Sequence, residues 1–504
     1  MKTLRNCLAL VALLAGVGSC QLEPTLYNSL DATTYPSNDQ EFQTVIGNAY
    51  RGLILYYDRE IYLPLNASTD EFTAPTRSGG AWFDNGRWQY FANHSWNSTA
   101  ADLNETWDWL YSGIATCNNT LAILKASTAQ VTGKESALAE LRGLRAFFYF
   151  LLCDNFGNVP LKTEDSPTGN IQQSSRTEVF NFIEAELKAI VPQLKPTAHP
   201  QTYSKFTKEV AQTLLAKLYL NAQVYTGTAR WQDCIAQCDA VIASNKYRLN
   251  ASYFASFAFN NRSNGSFVEN IFVIPYDKAD YRLDAATGMA PNLFTMHPGL
   301  RDKYGLSSTP WNGFCAIADF YNSFDNADAR KQGWIAGPQF DAAGNPIRFR
   351  NQPLVINADF TSITQATDND GARMVKFSMQ PGNTFQLQDN HFPIFRFADV
   401  LMMKGEAAFR LGDVGTALTE LNKVRARSGT PNFTPATLTL DALLAERGHE
   451  FYFENWRRND LIRFDRFGNG VWRFKLTRDK KRDLYPIPDR QLSINPYLKQ
   501  NPGY

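Results

Sequence analysis

"FRFADVLMMKGEAAFRLGDVGTALTELNKVRARSG", residues 395–429, is the stretch that decides the fold class. Four of its residues match the small and large positions of a tetratricopeptide unit: Gly405, Ala417, Leu421 and Val424. Small residues at such positions let two antiparallel helices approach closely. Residues 208–244 have the same helix–turn–helix pattern. The two pairs together predict a scaffold of stacked helical hairpins.

Helical periodicity extends through much of the remaining chain. Residues 37–57 place apolar side chains at three-and-four spacing behind a cap at Ser37, and Ser175 with Glu178 has the spacing of a capping box. Across residues 250–390 the pattern changes to short apolar runs that are broken by Gly, Pro and Asn. The sequence therefore predicts a mainly α protein, in which a tetratricopeptide-like helical-hairpin scaffold carries a loop-rich insertion.

The N-terminus, "MKTLRNCLALVALLAGVGSC", has a basic start, an apolar run too short to span a membrane, and small residues before Cys20. The ending "GVGSC" resembles a bacterial lipobox, in which Cys20 becomes the acylated first residue of the mature protein. An ordinary signal peptide that is cleaved elsewhere is the alternative. Five regions are predicted: a lipoprotein signal peptide (1–19), an acylated tether (20–36), a helical N-terminal part (37–249), the loop-rich insertion (250–390), and C-terminal tetratricopeptide-like helices with a tail (391–504).

Composition excludes several classes of protein. The 504 residues are 44% hydrophobic and 20% charged, which is typical of a globular protein with ample core. The net charge is +1, and we find no basic run, zinc-finger spacing or RNA-recognition motif, so a nucleic-acid partner is not expected. Five cysteines lie beyond Cys20 without CxxC spacing and are expected to be core thiols: Cys117, Cys153, Cys234, Cys238 and Cys315.

A series of motifs, in chain order, resembles the SusD/RagB family of outer-membrane nutrient-binding lipoproteins. The motifs are "WDWLYSGIATCNNTL", "ELRGLRAFFYFLLCDNFGNVPL", "LLAKLYLNAQVYTG", "FPIFRFADVLMMKGEAAFRLG", "LNKVRARSG", "ERGHEFYFENWRRNDLIRF" and "LYPIPDRQLSINPYLKQNPGY". The resemblance implies an α-helical protein with an irregular binding face. It also implies a surface-exposed lipoprotein that caps a SusC-like TonB-dependent outer-membrane transporter and captures glycans, or peptides in some branches.

The stretch "RSGGAWFDNGRWQYFANHSW", residues 77–96, places six large aromatic residues among turn residues. Sugar rings expose C–H faces that pack on flat aromatic rings, while their hydroxyl groups bond to Asn, Asp and Arg. The resemblance also assigns this segment, together with loops of the insertion, to the ligand face. The candidate ligand-binding residues are Arg77, Trp82, Asn85, Trp88, Tyr281, Trp311 and Asn312.

Exposure distinguishes the two roles that these rings can have. If Trp82, Trp88 and Trp311 form a stacking platform, we expect them to be partly exposed. Three other tryptophans are expected to lie in the core instead: Trp96, Trp107 and Trp109. Trp334 is a further ring that the insertion offers.

No catalytic site is predicted. "ERGHEFYFENWRRND" carries charges of alternating sign at helical spacing, which favour ion pairs over an acid–base pair. Asp70 and Glu71 are adjacent on an extended segment, so their side chains point to opposite faces and make a poor glycosidase dyad. No cofactor motif and no metal-ligand spacing of histidines occurs, although Asp325 and Asp328 leave calcium binding in the insertion open.

The sequence therefore predicts a non-enzymatic lipoprotein of the outer-membrane surface. It binds an oligosaccharide and delivers it to the transporter. Two alternatives stay open. One keeps the fold and captures peptides, and the other is a surface glycoside hydrolase or protease that uses the carboxylates named above.

Overall fold

A computed structural model describes residues 35–280, 282–284 and 287–504. Sixteen α-helices lie within them: α1 (Asp39–Arg51), α2 (Leu63–Asn66), α3 (Arg87–Ala92), α4 (Ala101–Ala126), α5 (Lys134–Asn155), α6 (Arg176–Ile190), α7 (Lys208–Leu220), α8 (Ala222–Thr226), α9 (Trp231–Ala243), α10 (Pro291–Thr295), α11 (Ala318–Asn322), α12 (Phe397–Arg410), α13 (Val414–Ser428), α14 (Leu440–Phe451), α15 (Arg457–Arg463) and α16 (Asp489–Ile494). The predicted mainly α fold is confirmed. The signal peptide and Cys20 lie outside the described residues.

The strands of the described residues are short and pair only two by two. They are β1 (Phe72–Thr73), β2 (Val159–Pro160), β3 (Gln173–Ser174), β4 (Asn270–Ile274), β5 (Cys315–Ala316), β6 (Trp334–Ile335), β7 (Gly337–Pro338), β8 (Arg348–Phe349), β9 (Gln352–Pro353), β10 (Val355–Ile356), β11 (Arg373–Met374) and β12 (Phe392–Arg396). The antiparallel pairs are β1–β5, β2–β3, β4–β12, β6–β11, β7–β10 and β8–β9. Only β4 and β12 are five residues long, and every residue in both is buried.

Close helix packing in the hairpins depends on glycine. A Cβ added at Gly405 of α12 would lie 2.7 Å from Leu421 Cγ of α13, so these two helices approach as the tetratricopeptide spacing predicts. In the hairpin of α4 and α5, a Cβ at Gly113 would lie 2.5 Å from Phe148. Side chains of neighbouring helices thus occupy the space that a larger residue would need.

Helix caps are the local signals that fix where the helices begin. The capping box of Ser175 and Glu178 is confirmed at the start of α6. The predicted cap of α1 is wrong by one residue, because Asn38 accepts the Glu41 N–H at 3.0 Å. Ser37 instead donates to the Glu41 carboxylate from both its N–H and its hydroxyl group, which reverses the predicted direction of the bond.

The charged segment around α14 and α15 forms the predicted ion pairs, and most of them are buried contacts between elements. Glu450 pairs with Arg330 at 3.1 Å, with Arg396 at 2.9 Å and also with Arg427. Burial opposes ionisation of Glu450, yet these three guanidinium groups hold its pKa at about 2. The segment is therefore part of the scaffold, and its charges are already neutralised.

Cysteines and apolar helices behave as core elements. The five cysteines in the described part of the chain are free and buried. Burial raises the pKa of Cys117 and of Cys153 to about 12. None of the helices in the described ranges has the length and hydrophobicity that a membrane span requires.

Replacing Gly405 by Ala should destabilise the protein by about 1–3 kcal/mol, because the new Cβ overlaps Leu421 across the hairpin. Gly415→Ala in α13 is the matched control, since the nearest atom to its Cβ is 3.6 Å away. Ala is also the better helix former by about 1 kcal/mol, so that variant should be neutral or stabilised. Urea unfolding of both variants measures the difference, and equal stabilities would contradict the proposed close approach.

Candidate functional site

The loop of residues 79–86 is held in an unusual backbone conformation. Six of its eight residues have positive φ: Gly79, Gly80, Trp82, Asp84, Asn85 and Gly86. Positive φ is uncommon for residues other than glycine, and for a bulky residue such as Trp82 (φ 63°) it is an outlier. Such strain persists only where surrounding contacts enforce it, and it is concentrated at functional sites.

Arg77 fastens this loop to the insertion. Its guanidinium donates to the carbonyl oxygens of Asn312, Gly313, Thr367 and Asp370 at distances of 2.6–3.0 Å. The side chain is almost completely buried. We predicted Arg77 as a ligand-binding residue, but these four bonds use its guanidinium to join loops that are distant in sequence.

Asn312 is the partner of a second buried arginine. Arg373 donates to the Asn312 side-chain oxygen at 2.8 Å and to the Asp368 carbonyl at 2.7 Å. The Asn312 amide group in turn donates to the same Asp368 carbonyl at 3.0 Å. Burial lowers the pKa of Arg373 to about 9. Asn312 therefore shapes the loop that carries Trp311, and its own side chain is buried.

Trp82 and Trp88 face the protein interior, so the expectation that both are partly exposed is wrong. Trp88 is fully buried, and its ring stands edge-on to Phe314 at 4.8 Å. Trp82 covers Gly313, where an added Cβ would lie 2.0 Å from the indole, and its Nε1 donates to the Trp311 carbonyl at 2.6 Å. Both rings lie beneath the protein surface, because residues some 230 positions further along the chain bury them.

Three rings remain exposed on neighbouring loops: Phe83 (49%), Trp311 (38%) and Phe385 (47%). Phe83 follows Trp82 directly, and Trp82 bonds to the Trp311 backbone. Phe385 is linked to the Trp311 loop by its carbonyl, which accepts the Ser307 hydroxyl at 2.8 Å. We call these three residues the exposed-aromatic surface.

Arg59 lies between the buried and the exposed indoles. Its guanidinium carbon is 4.6 Å from the Trp82 ring centre and 5.7 Å from that of Trp311. Asp84 accepts from it at 2.7 Å, and Glu60 and Arg87 extend the charged group. A cation packed on an aromatic ring fixes that ring in place. Charged side chains that are held by ion pairs thus lie beside the flat Trp311 ring.

The other predicted residues have different outcomes. Asn85 is exposed at the tip of the strained loop, so its amide is free to meet a ligand. Tyr281 lies outside the described residues. Trp334 is buried and stacks on Tyr452 at 4.9 Å. Trp96, Trp107 and Trp109 are buried, as predicted.

The two adjacent carboxylates have different hydrogen-bond partners. Asp70 makes two bonds of 2.7 Å to the Arg457 guanidinium. Glu71 is buried, and its carboxyl group accepts the Phe453 N–H. Burial raises the pKa of Glu71 to about 8. Each carboxylate thus has a structural partner of its own, and the pair does not have the geometry of a glycosidase dyad.

Metal-ligand geometry is likewise absent from the part of the chain that the structure describes, where no three His, Cys, Asp or Glu side chains could share a metal ion. Asp328 is buried against Arg330 at 2.8 Å, and Asp325 accepts the Ala327 N–H at 2.8 Å. Each aspartate thus has its own partner within the protein. The described residues therefore do not support the calcium site that the sequence left open.

A family model described as "SusD family" matches residues 213–504, which is more than half of the chain. The chain belongs to the SusD family. A second model, "Starch-binding associating with outer membrane", matches residues 29–220. The resemblance found in the sequence motifs is confirmed.

Curated SusD relatives cover most of the chain. Starch-binding protein SusD of Bacteroides thetaiotaomicron is 26% identical over 408 residues, which are 73% of this chain and 72% of that protein. SusD-like protein P25 of Formosa agariphila is 24% identical over 466 residues, 82% of this chain and 83% of that protein.

Solved SusD-like structures share the fold. A laminarin binding SusD-like protein has a TM-score of 0.73 at 22% identity, covering 93% of this chain and 100% of that one. Surface glycan-binding protein A from Bacteroides thetaiotaomicron, solved in complex with laminarihexaose, has a TM-score of 0.72 at 20% identity and covers 92% and 99%. These structures match 92–93% of this chain, so the chain has the SusD-like fold over that share of its length.

Sequence reasoning missed three residues at or beside the exposed-aromatic surface. Arg59 lies at the end of a helical segment and carries no local signal of its contact with the indoles. Phe83 adjoins Trp82 in the quoted loop and is one of the six aromatic residues of that stretch. Phe385 stands in "GNTFQLQDN", where amide side chains surround a single ring.

Glu71→Gln should change the pH dependence of stability. Because the pKa of folded Glu71 is raised from 4.5 to about 8, its protonated form stabilises the wild type below pH 4.5, and this contribution is lost as the pH rises to 8. The variant should therefore gain on the wild type by up to about 1.4 kcal/mol per pH unit across that window. Urea unfolding between pH 5 and 9 measures this difference, and a constant difference would show that Glu71 is ionised throughout.

Proposed function

We propose that this protein is a non-enzymatic, surface-exposed lipoprotein that binds an oligosaccharide on the exposed-aromatic surface. The observation that carries the proposal is Trp311, which presents its ring to solvent while Arg59 and Trp82 hold it from behind. The names of the relatives support a glycan, because they include a starch-binding protein and a structure with bound laminarihexaose.

The chemistry of this surface suits a sugar. An aromatic face packs against the C–H groups of a pyranose ring, and a few such anchors normally carry most of the binding free energy. Asn85 is exposed in the same loop as Phe83, and its amide offers both a donor and an acceptor for hydroxyl groups. The loop backbone is already fixed by Arg77, so little conformational entropy is lost when a sugar binds.

A peptide fits the same surface less well. Extended peptides usually bind by adding a strand to an exposed sheet edge. The strands of the insertion other than β4 are two residues long, and β4 is buried and paired with β12. The edges near the exposed-aromatic surface therefore offer too few backbone groups for strand addition.

Trp311→Ala should weaken binding of laminarihexaose or maltohexaose about tenfold, roughly 1.4 kcal/mol, with little loss of stability, because the ring is exposed. Trp88→Ala should instead cost about 3–5 kcal/mol of stability, because it leaves a cavity beneath the loop. Isothermal titration calorimetry and thermal unfolding separate the two effects. Tyr497→Ala, which removes an exposed ring from the C-terminal tail, is the control. Unchanged affinity in Trp311→Ala would reject this surface as the glycan site.

Anchoring and delivery form the second part of the proposal. Cys20 is the proposed acylation site, and two or more acyl chains hold a protein stably at a membrane. A lipid tether does not itself open a path for a solute, so we propose that a SusC-like TonB-dependent transporter receives the oligosaccharide.

An affinity-tagged protein purified in mild detergent should recover a large outer-membrane β-barrel. The Cys20→Ala variant should neither incorporate labelled palmitate nor recover the barrel from membranes, since it lacks the tether. Recovery of the bait alone from the lipidated wild type would exclude a stable complex. Palmitate label retained in the variant would remove the proposed acylation site.

A further inference from the structure

A cleft of about 600 Å³ lies between the N-terminus of α6, helix α8, helix α15 and the C-terminal tail. It is lined by Arg176, Gln223, Val224, Ile462, Arg463, Asp465, Lys480, Lys481, Asp483, Leu484, Asn501 and Pro502. Its volume is within the range of about 300–1,000 Å³ that is typical of small-molecule sites. It shares no residue with the exposed-aromatic surface. We call it the Arg176 cleft.

Arg176 is an arginine whose charge no carboxylate balances. Its guanidinium donates to three backbone carbonyls: Cys153 at 2.9 Å, Asp154 at 3.3 Å and Val224 at 3.4 Å. Among the described residues, no Asp or Glu side chain lies within ion-pair distance of it. Arginine has five N–H groups, so two are left without a partner in these bonds. Two N–H groups on one guanidinium match the two oxygens of a carboxylate or of a related oxyanion.

The position of Arg176 is fixed before any ligand arrives. It is the first residue of α6, and the capping box of Ser175 and Glu178 sets the start of that helix. The Glu178 carboxylate is engaged by Ser175, so it does not neutralise Arg176. The guanidinium also lies over the Tyr225 ring at 4.6 Å. A preorganised cation of this kind loses little entropy on binding an anion.

The other cations that line the cleft differ in how strongly carboxylates neutralise them. Arg463 is neutralised by Glu406 and Asp460, at 2.7 Å from each. Lys480 pairs with Asp465 at 2.8 Å, but both side chains are mostly exposed, so this pair is weak. Lys481 approaches the Asp479 carboxylate, which does not line the cleft, at 3.3 Å. Asp483 also lines the cleft, so its wall carries four cations (Arg176, Arg463, Lys480 and Lys481) and two carboxylates (Asp465 and Asp483). Arg176 is the cation among them for which no carboxylate of the described residues lies within ion-pair distance.

The chain around the cleft also contains a basic segment that the whole-chain charge conceals. "RFKLTRDKKR", residues 473–482, has six Lys or Arg residues and one Asp. The statement that the chain has no basic run is therefore wrong for this segment. A local excess of positive charge raises the concentration of anions near the cleft.

We propose that the Arg176 cleft binds an acidic sugar, whose carboxylate or sulfate group bonds to Arg176. The cleft is larger than an inorganic ion needs, and Gln223 places an exposed amide group on its wall beside the charge. The Asn501 amide nitrogen already donates to the Phe156 and Tyr485 carbonyls at 2.9 and 2.7 Å. A uronate or sulfated residue supplies both an oxyanion and hydroxyl groups. The site is independent of glycan binding at Trp311, because the two sets of residues are separate.

Trigalacturonate is the probe for this site, and uncharged maltotriose is its matched comparison. Titration calorimetry at low ionic strength should detect trigalacturonate binding that added inorganic sulfate displaces. Arg176→Gln should weaken it about tenfold or more, since a hydrogen bond to a charged group is lost. Lys481→Gln should weaken it about threefold. Arg478→Gln removes the same charge from an exposed residue of the basic segment that does not line the cleft, and should weaken binding less than Lys481→Gln does.

Several outcomes would overturn the proposal. Equal binding of maltotriose, equal weakening by Arg176→Gln and Arg478→Gln, or no binding of trigalacturonate each contradicts it. Because Arg176 also fixes three carbonyls, thermal unfolding must show that its variant is folded, and Lys481→Gln tests the cleft if it is not. Trp311→Ala should bind trigalacturonate as the wild type does, so failure at one site is distinguishable from failure at the other.

Discussion

The carboxylate of Glu450 is the contact on which the packing of the insertion depends. It is bonded to Arg330 in the insertion, Arg396 at the end of β12 and Arg427 in α13. All of these groups are buried, and removing one partner of a buried ion pair typically costs about 3–5 kcal/mol. The part of the insertion that carries Arg330 is therefore joined to α13 and α14 by buried charge that water does not screen.

Buried arginines also hold together the loops of the exposed-aromatic surface. Arg77 and Arg373 are buried among backbone carbonyls, so each one draws several irregular loops together without a regular sheet. Loops held this way keep fixed positions although their strands are only two residues long. A helical scaffold can thus present a rigid binding face that is made almost entirely of turns.

The helical parts of this fold could be predicted from the sequence. Which aromatic rings are buried and which face the solvent could not. The three-and-four apolar spacing, the capping box at Ser175 and the small residue at Gly405 are local signals, and all agree with the structure. Trp82 lies in the loop of residues 79–86 and Trp88 in the adjoining helix α3, and both are buried by Gly313 and Phe314 far along the chain. Local composition carries no information about such partners, so Trp88 was wrongly expected at the surface.

The buried thiols have a practical consequence for experiments on this protein. With pKa values of about 12, Cys117 and Cys153 have almost no thiolate at neutral pH, and the thiolate is the reactive form. The other cysteines of the described chain are also buried and unpaired. A single cysteine introduced at the protein surface would therefore react with maleimide dyes in preference to these five buried thiols, so fluorescence labelling does not require their removal.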